Sequence, residues 1–197
     1  MSAKNLSIKF TLALLFLAGV SVGCTRAQTI DLSTKEAVIE QLEKQSKVKF
    51  SKDLVCIERL KESAKIIVIG FFRYDYGCHL EGAFVNSVYI EEGAELTQKA
   101  LNGLGWKKAN QVQREKLALT WIEKGLLAFS TVLYTKDKDF KDGEFQPPIV
   151  ASKDDGEITV TLWTSVMRRK IEFHHLKLTF TKDGTLLENK LVKRTRI

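Results

Sequence analysis

The chain has 197 residues, a formal net charge of +7 and 44% hydrophobic side chains. That length supports one domain with a real core, and two prolines with 12 glycines exclude a low-complexity or collagen-like chain. It carries neither a P-loop nor a Gly-x-Gly-x-x-Gly turn, so no nucleotide site is readable.

Residues 1–27 read as a signal peptide. Lys4 and Lys9 form a basic start, no acid occurs before Asp31, and residues 10–22 (FTLALLFLAGVSV) make an apolar run of 13. Such a run is too short to span a bilayer but suits the core of an export signal. Two processing routes compete. Thr25-Arg26-Ala27 before Gln28 has the small residues that ordinary cleavage needs, whereas Ser21-Val22-Gly23-Cys24 resembles a bacterial lipoprotein box, with Ser21 departing from its pattern. Either route predicts an exported domain over residues 28–197, periplasmic or secreted, with Cys24 removed or acylated as an outer-membrane lipid anchor. Both leave Cys56 and Cys78 as the remaining cysteines. In an oxidising compartment such a pair reads as a disulfide.

The charge is uneven. Lys4, Lys9 and Arg26 leave with the leader, so residues 28–197 carry +7 − 3 = +4. Residues 157–197 hold nine basic and four acidic side chains, hence +5, and residues 28–156 are near −1. A local surplus of this kind suits an envelope component, a protein or an anionic polymer as partner. Its plainer reading is a solvated face. No nucleic acid is expected, no cofactor is implied, and the membrane enters only through a lipid anchor.

After a short tether, Ser33-Thr34-Lys35-Glu36 predicts a helix start with Ser33 as N-cap and Glu36 reaching back. Val38, Ile39 and Leu42 give that helix its apolar stripe. Residues 47–65 are ambiguous between helix and strand. Residues 66–74 (IIVIGFFRY) predict a strand with a bend at Gly70, Asp75-Tyr76-Gly77 a turn, and residues 81–90 the returning strand. Glu91-Glu92 lead into a helix over 94–102. A second helix spans 108–124, with Val112, Leu119 and Ile122 on its apolar face, Ala118 and Trp121 widening it, and Gly125 as its stop. Trp106 and Trp121 read as core of this helical pair rather than as a ligand platform. Residues 126–135 predict a third strand, and 136–144 (KDKDFKDGE) a solvated loop whose acids are out of phase for a calcium loop. A short edge strand over 149–151 follows.

The final block, residues 157–197, predicts three antiparallel strands. Ile158, Val160 and Leu162 alternate cleanly, and Asp183-Gly184 is a hairpin turn. In the middle strand Ile171 and Phe173 are odd-numbered, while Leu176, Leu178 and Phe180 are even. A bulge at His174-His175 would return all five to one face and set Glu172, His174, His175 and Lys177 on the other. His174 and His175 beside Glu172 are therefore the candidate ligand or metal site, since imidazoles bind metals and move protons. Two histidines on a solvated strand face need no function. Cys78 and His79 do not make a catalytic pair, because neighbours in a strand point to opposite faces.

These elements predict an α+β domain: about three helices on one face of a curved antiparallel sheet of five to six strands. The function expected is a non-enzymatic binding module of the bacterial envelope. The alternative is a small metal-dependent or hydrolytic enzyme centred on His174 and His175.

Overall fold

The computed structural model describes residues 30–74, 77–136, 140, 144–167 and 171–196. The leader with Cys24 lies outside the described residues, and so do Asp75 and Tyr76 of the first hairpin turn. Asp31–Ile197 forms one compact unit.

The α+β class holds, but the single sheet becomes two. Strands β1 (Val55–Arg59), β2 (Ile66–Arg73), β3 (Gly77–Val85) and β4 (Val88–Glu91) make a four-stranded antiparallel sheet in chain order. The second sheet contains β5 (Thr131–Leu133), β6 (Ile149–Ser152), β7 (Ile158–Met167), β8 (Ile171–Phe180) and β9 (Leu186–Arg196). In it β5 and β6 pair in succession with one edge of β7, while β8 and β9 follow on the other side.

The first sheet is covered on both faces. Val38, Ile39 and Leu42 of α1 (Lys35–Ser46) pack on Ile67, Ile69 and Phe84. Ile66, Val68, Ala83 and Val85 face the main core instead, with α2 (Ala94–Gly103), α3 (Gln111–Trp121) and the inner face of the second sheet. The unbroken apolar run of β2 is the signature of a strand buried on both sides. Helices on one face of one sheet is therefore corrected: α1 has a face to itself, and α2 and α3 share the core between both sheets.

Local chemistry moves several boundaries. The N-cap of α1 is Thr34, whose Oγ1 accepts from Ala37 N at 3.1 Å, while Ser33 N donates to Asp31 Oδ1. Asn86 and Ser87, both at positive φ, make a two-residue turn that splits the predicted return strand into β3 and β4. Val112 is exposed, and the buried face of α3 is Ala118 and Trp121, followed by Ile122. Asn110 caps that helix with Gln113 as its reciprocal partner. Residues 122–126 continue α3 as one π-helical turn, which leaves only Thr131–Leu133 of the predicted third strand. Gly125 is buried in that turn, and any Cβ there would collide with the Trp121 ring. Close approach, not a left-handed stop, requires the glycine.

Both tryptophans of the helical pair are fully buried. Trp106 Nε1 donates to Lys182 O at 2.9 Å and Trp121 Nε1 to Thr97 Oγ1 at 3.2 Å, so each indole satisfies its polar atom. Trp106 also lies against Gly184, whose φ of +87° forms the β8–β9 turn.

Candidate functional site

Cys56 and Cys78 form a disulfide. It crosses β2 to join the strands on either side of it. The two Cα atoms are 6.2 Å apart, closer than the roughly 9.5 Å between alternate strands of a flat sheet. The sheet is pinched here, and the β2–β3 register shifts between Ile69 and Gly70. Gly70 permits the pinch, because a side chain there would strike the Phe129 ring and the His79 carbonyl oxygen.

The β7–β8 ladder runs without interruption from Ile158↔Phe180 to Met167↔Ile171. The predicted bulge in β8 is therefore absent. The register does shift beside His175 and Leu176, but on the other partner: His175 faces Lys193 and Leu176 faces Leu191, which leaves Val192 of β9 as the extra residue. Without a bulge in β8 its odd and even residues keep to opposite faces. Phe173 packs with Phe140 and Trp163 on the outer face, and Leu178 and Phe180 enter the main core.

The same alternation separates the histidines. His175 stacks on Trp163 on the outer face, with ring centroids 4.6 Å apart and planes 11° from parallel. Burial, and then the charge of Lys193, push its imidazole below its ordinary value. His174 faces the other way, and its Nε2 lies 3.1 Å from Glu172 Oε2. Glu172 is buried, and Arg194 grips it bidentately, donating from Nε to Oε2 at 2.7 Å and from Nη2 to Oε1 at 2.6 Å. Such a fork holds the carboxylate at a fixed angle, so Glu172 in turn orients His174. The structure brings Glu172 and His174 together and sends His175 elsewhere. Among the described residues no group of three His, Cys, Asp or Glu side chains is placed to hold a metal ion.

His174 borders an open cleft of about 750 Å³. One wall is the β2–β3 hairpin, with Arg73 and residues 77–81. Another is the segment after α3, with Leu126, Leu127, Phe129 and Ser130, and Val166, His174 and Asn189 close it from the second sheet. The disulfide contributes Cys78 to this lining. Arg73 Nη2 lies 3.2 Å from Glu81 Oε1. Glu92 N donates to Glu81 O, which brings a second glutamate to the same rim. Although Glu92 as a residue is exposed, partial burial of its carboxyl, and then the charge of Glu81, raise it above its ordinary value. Tyr89, which donates to Glu81 O, is pushed up to about 12 by burial first and by Glu81 and Glu91 after it.

No family model, no curated protein and no solved structure matches this chain. The site therefore rests on its own geometry.

Arg73, Glu81, Phe129 and Arg194 carry no site expectation in the sequence, and Glu92 is expected there only to lead into a helix. One signal was within reach for two of them. A two-residue turn at Asn86-Ser87 pairs Val85 with Val88 and Gly82 with Glu91, so the next step sets Glu81 beside Glu92. Arg194 had none, because its meeting with Glu172 depends on where β9 gains its two extra residues, Leu187 and Val192.

Proposed function

We propose that this chain is an exported binding module of the bacterial envelope that takes its ligand in the cleft between the β2–β3 hairpin and the inner face of the second sheet. The observation that carries this reading is the cleft itself: about 750 Å³, lined by convergent polar groups over apolar side chains and bordered by a disulfide. Binding sites are commonly concave surfaces of this size with a few polar groups placed among apolar ones. Export is supported by the signal-like leader in the sequence and by the Cys56–Cys78 bridge, since disulfides persist outside the cytoplasm. Among the described residues no helix is long and apolar enough to cross a membrane.

A small hydrolytic enzyme is the second reading. The His174–Glu172 contact favours it, since a histidine oriented by a buried carboxylate at a cleft is the form a general base takes. A metal centre on both histidines has less support, because they occupy opposite faces of β8.

The test is sedimentation of the oxidised protein with purified bacterial cell-wall sacculi. The protein should pellet with them, and Asn189→Trp, which fills the cleft from an exposed position, should leave it in the supernatant. Equal pelleting of the two, or no pelleting of either, overturns the proposal. His174→Ala separates the readings: a binding module still pellets, whereas an enzyme loses turnover of the wall.

A further inference from the structure

The chemistry of the cleft narrows its ligand, an inference that rests on the cleft being the binding site. Its strongest charges already face one another, Arg73 with Glu81, and Arg194 with Glu172 behind His174. An anion would meet Glu81 and Glu92 and would have to draw Arg73 away from its partner. A cation would compete with Arg73 for Glu81. An acyl chain would leave Arg73, Glu81 and Asn189 stripped of water with nothing in exchange, at about 1–3 kcal/mol for each group.

An uncharged, hydroxyl-rich ligand meets none of these penalties. Each hydroxyl both donates and accepts, and the lining offers both roles: Glu81 and Glu92 accept, Arg73 donates, and Ser130 and Asn189 do either. The apolar half of the match is Phe129, a half-buried ring seated against Gly70. The C–H face of a sugar packs on such a ring without desolvating its own hydroxyls. Phe129 also lines a second cleft of about 760 Å³ along β1, where Arg59 and Glu58 again supply both signs. One aromatic ring thus stands between two hollows, and a ligand longer than a single sugar can reach both.

We propose that the cleft binds a neutral oligosaccharide lying across the Phe129 ring, with Arg73, Glu81, Glu92 and Asn189 meeting its hydroxyls. Calorimetric titration of the oxidised protein with tetrasaccharides matched in length but differing in charge tests this. The probes are the N-acetylglucosamine tetramer, its deacetylated and therefore cationic counterpart, anionic tetragalacturonate, and neutral cellotetraose and maltotetraose. At least one neutral tetramer should bind with a Kd below about 1 mM and more tightly than its own disaccharide. Phe129→Ala should weaken that binding at least about tenfold, equivalent to 1.4 kcal/mol. Because Phe129 also supports the fold at Gly70, Asn189→Ala is the companion variant at an exposed position and should weaken binding as well.

Tighter binding of the deacetylated tetramer would assign the cleft to cations, and tighter binding of tetragalacturonate would assign it to anions. Either result overturns the proposal, as does failure of every neutral tetramer. If the neutral sugars fail while Asn189→Trp still abolishes pelleting with sacculi, the sugar assignment falls and the binding module stands. If Asn189→Trp pellets as well as the parent protein, the cleft itself falls.

Discussion

The two sheets solve the same problem with different means. Each has apolar residues on both faces, so each must be covered twice. The first sheet receives a whole helix, α1, on its outer face and the main core on the other. A disulfide then ties its strands across β2. The second sheet, whose strands run from 3 to 11 residues, shares the main core, and among the described residues its outer face is covered in a patch where Phe140 and Phe145 meet Trp163 and Phe173. The same outer face carries Lys177 paired to Glu188 and Lys193 to Glu144. Lys177 and Lys193 thus belong to a paired outer face, and the cleft opens on the opposite side. Coverage, not strand length, decides where each sheet can afford an opening.

The largest test of this contrast is Phe140→Ala. Phe140 is buried, with its ring centroid 4.5 Å from Phe173 and 4.9 Å from Trp163. Removing it from a packed cluster should cost about 3 kcal/mol or more in urea unfolding. A loop that merely ran through solvent would change stability by no more than about 0.5 kcal/mol. A loss that small would mean that the outer face of the second sheet needs no cover.

Next comes the brace of the first sheet. Replacing Cys56 and Cys78 together by alanine opens a loop whose ends are 22 residues apart. Chain-entropy reasoning puts the loss at about 3 kcal/mol. Amide exchange should quicken first in β1 and β3 while β7 and β8 stay protected, because the bridge touches only the first sheet. Uniform quickening across both sheets would show that they unfold as one unit and that the brace is not local.

Much of this architecture was legible in the residues, and the failures share one cause. The β2 run, Ile66 to Ile69, predicts a central strand but does not say what lies on each side of it. The parity change between Phe173 and Leu176 predicts a bulge only where a single face is covered. Both patterns say the same thing: odd and even residues are apolar because both faces are covered. The number of layers was thus written in the strands, and only the identity of the cover was missing. Phe140 could not be assigned from sequence, since an aromatic residue in a run of lysines and aspartates carries no period. The disulfide was legible because two cysteines allow one pairing. The Glu172–Arg194 fork was not, because two extra residues in β9, Leu187 and Val192, change every partner beyond them.

The smallest expected effect concerns His175, and it sharpens the comparison at a single ring. The fold favours the neutral imidazole, first through burial against Trp163 and then through the charge of Lys193. Above the ordinary histidine value of 6.5 the folded and unfolded chains are both neutral at this position, so it carries no penalty. As pH falls below that value the unfolded chain takes up its proton first, and stability is lost until the lowered folded value is reached. Urea midpoints at about pH 7.5 and about pH 5.5 should therefore fall further for the parent protein than for His175→Gln, which cannot titrate there. Equal pH dependence in the parent and His175→Gln would place the ring in solvent and undo the distinction between the two faces of β8.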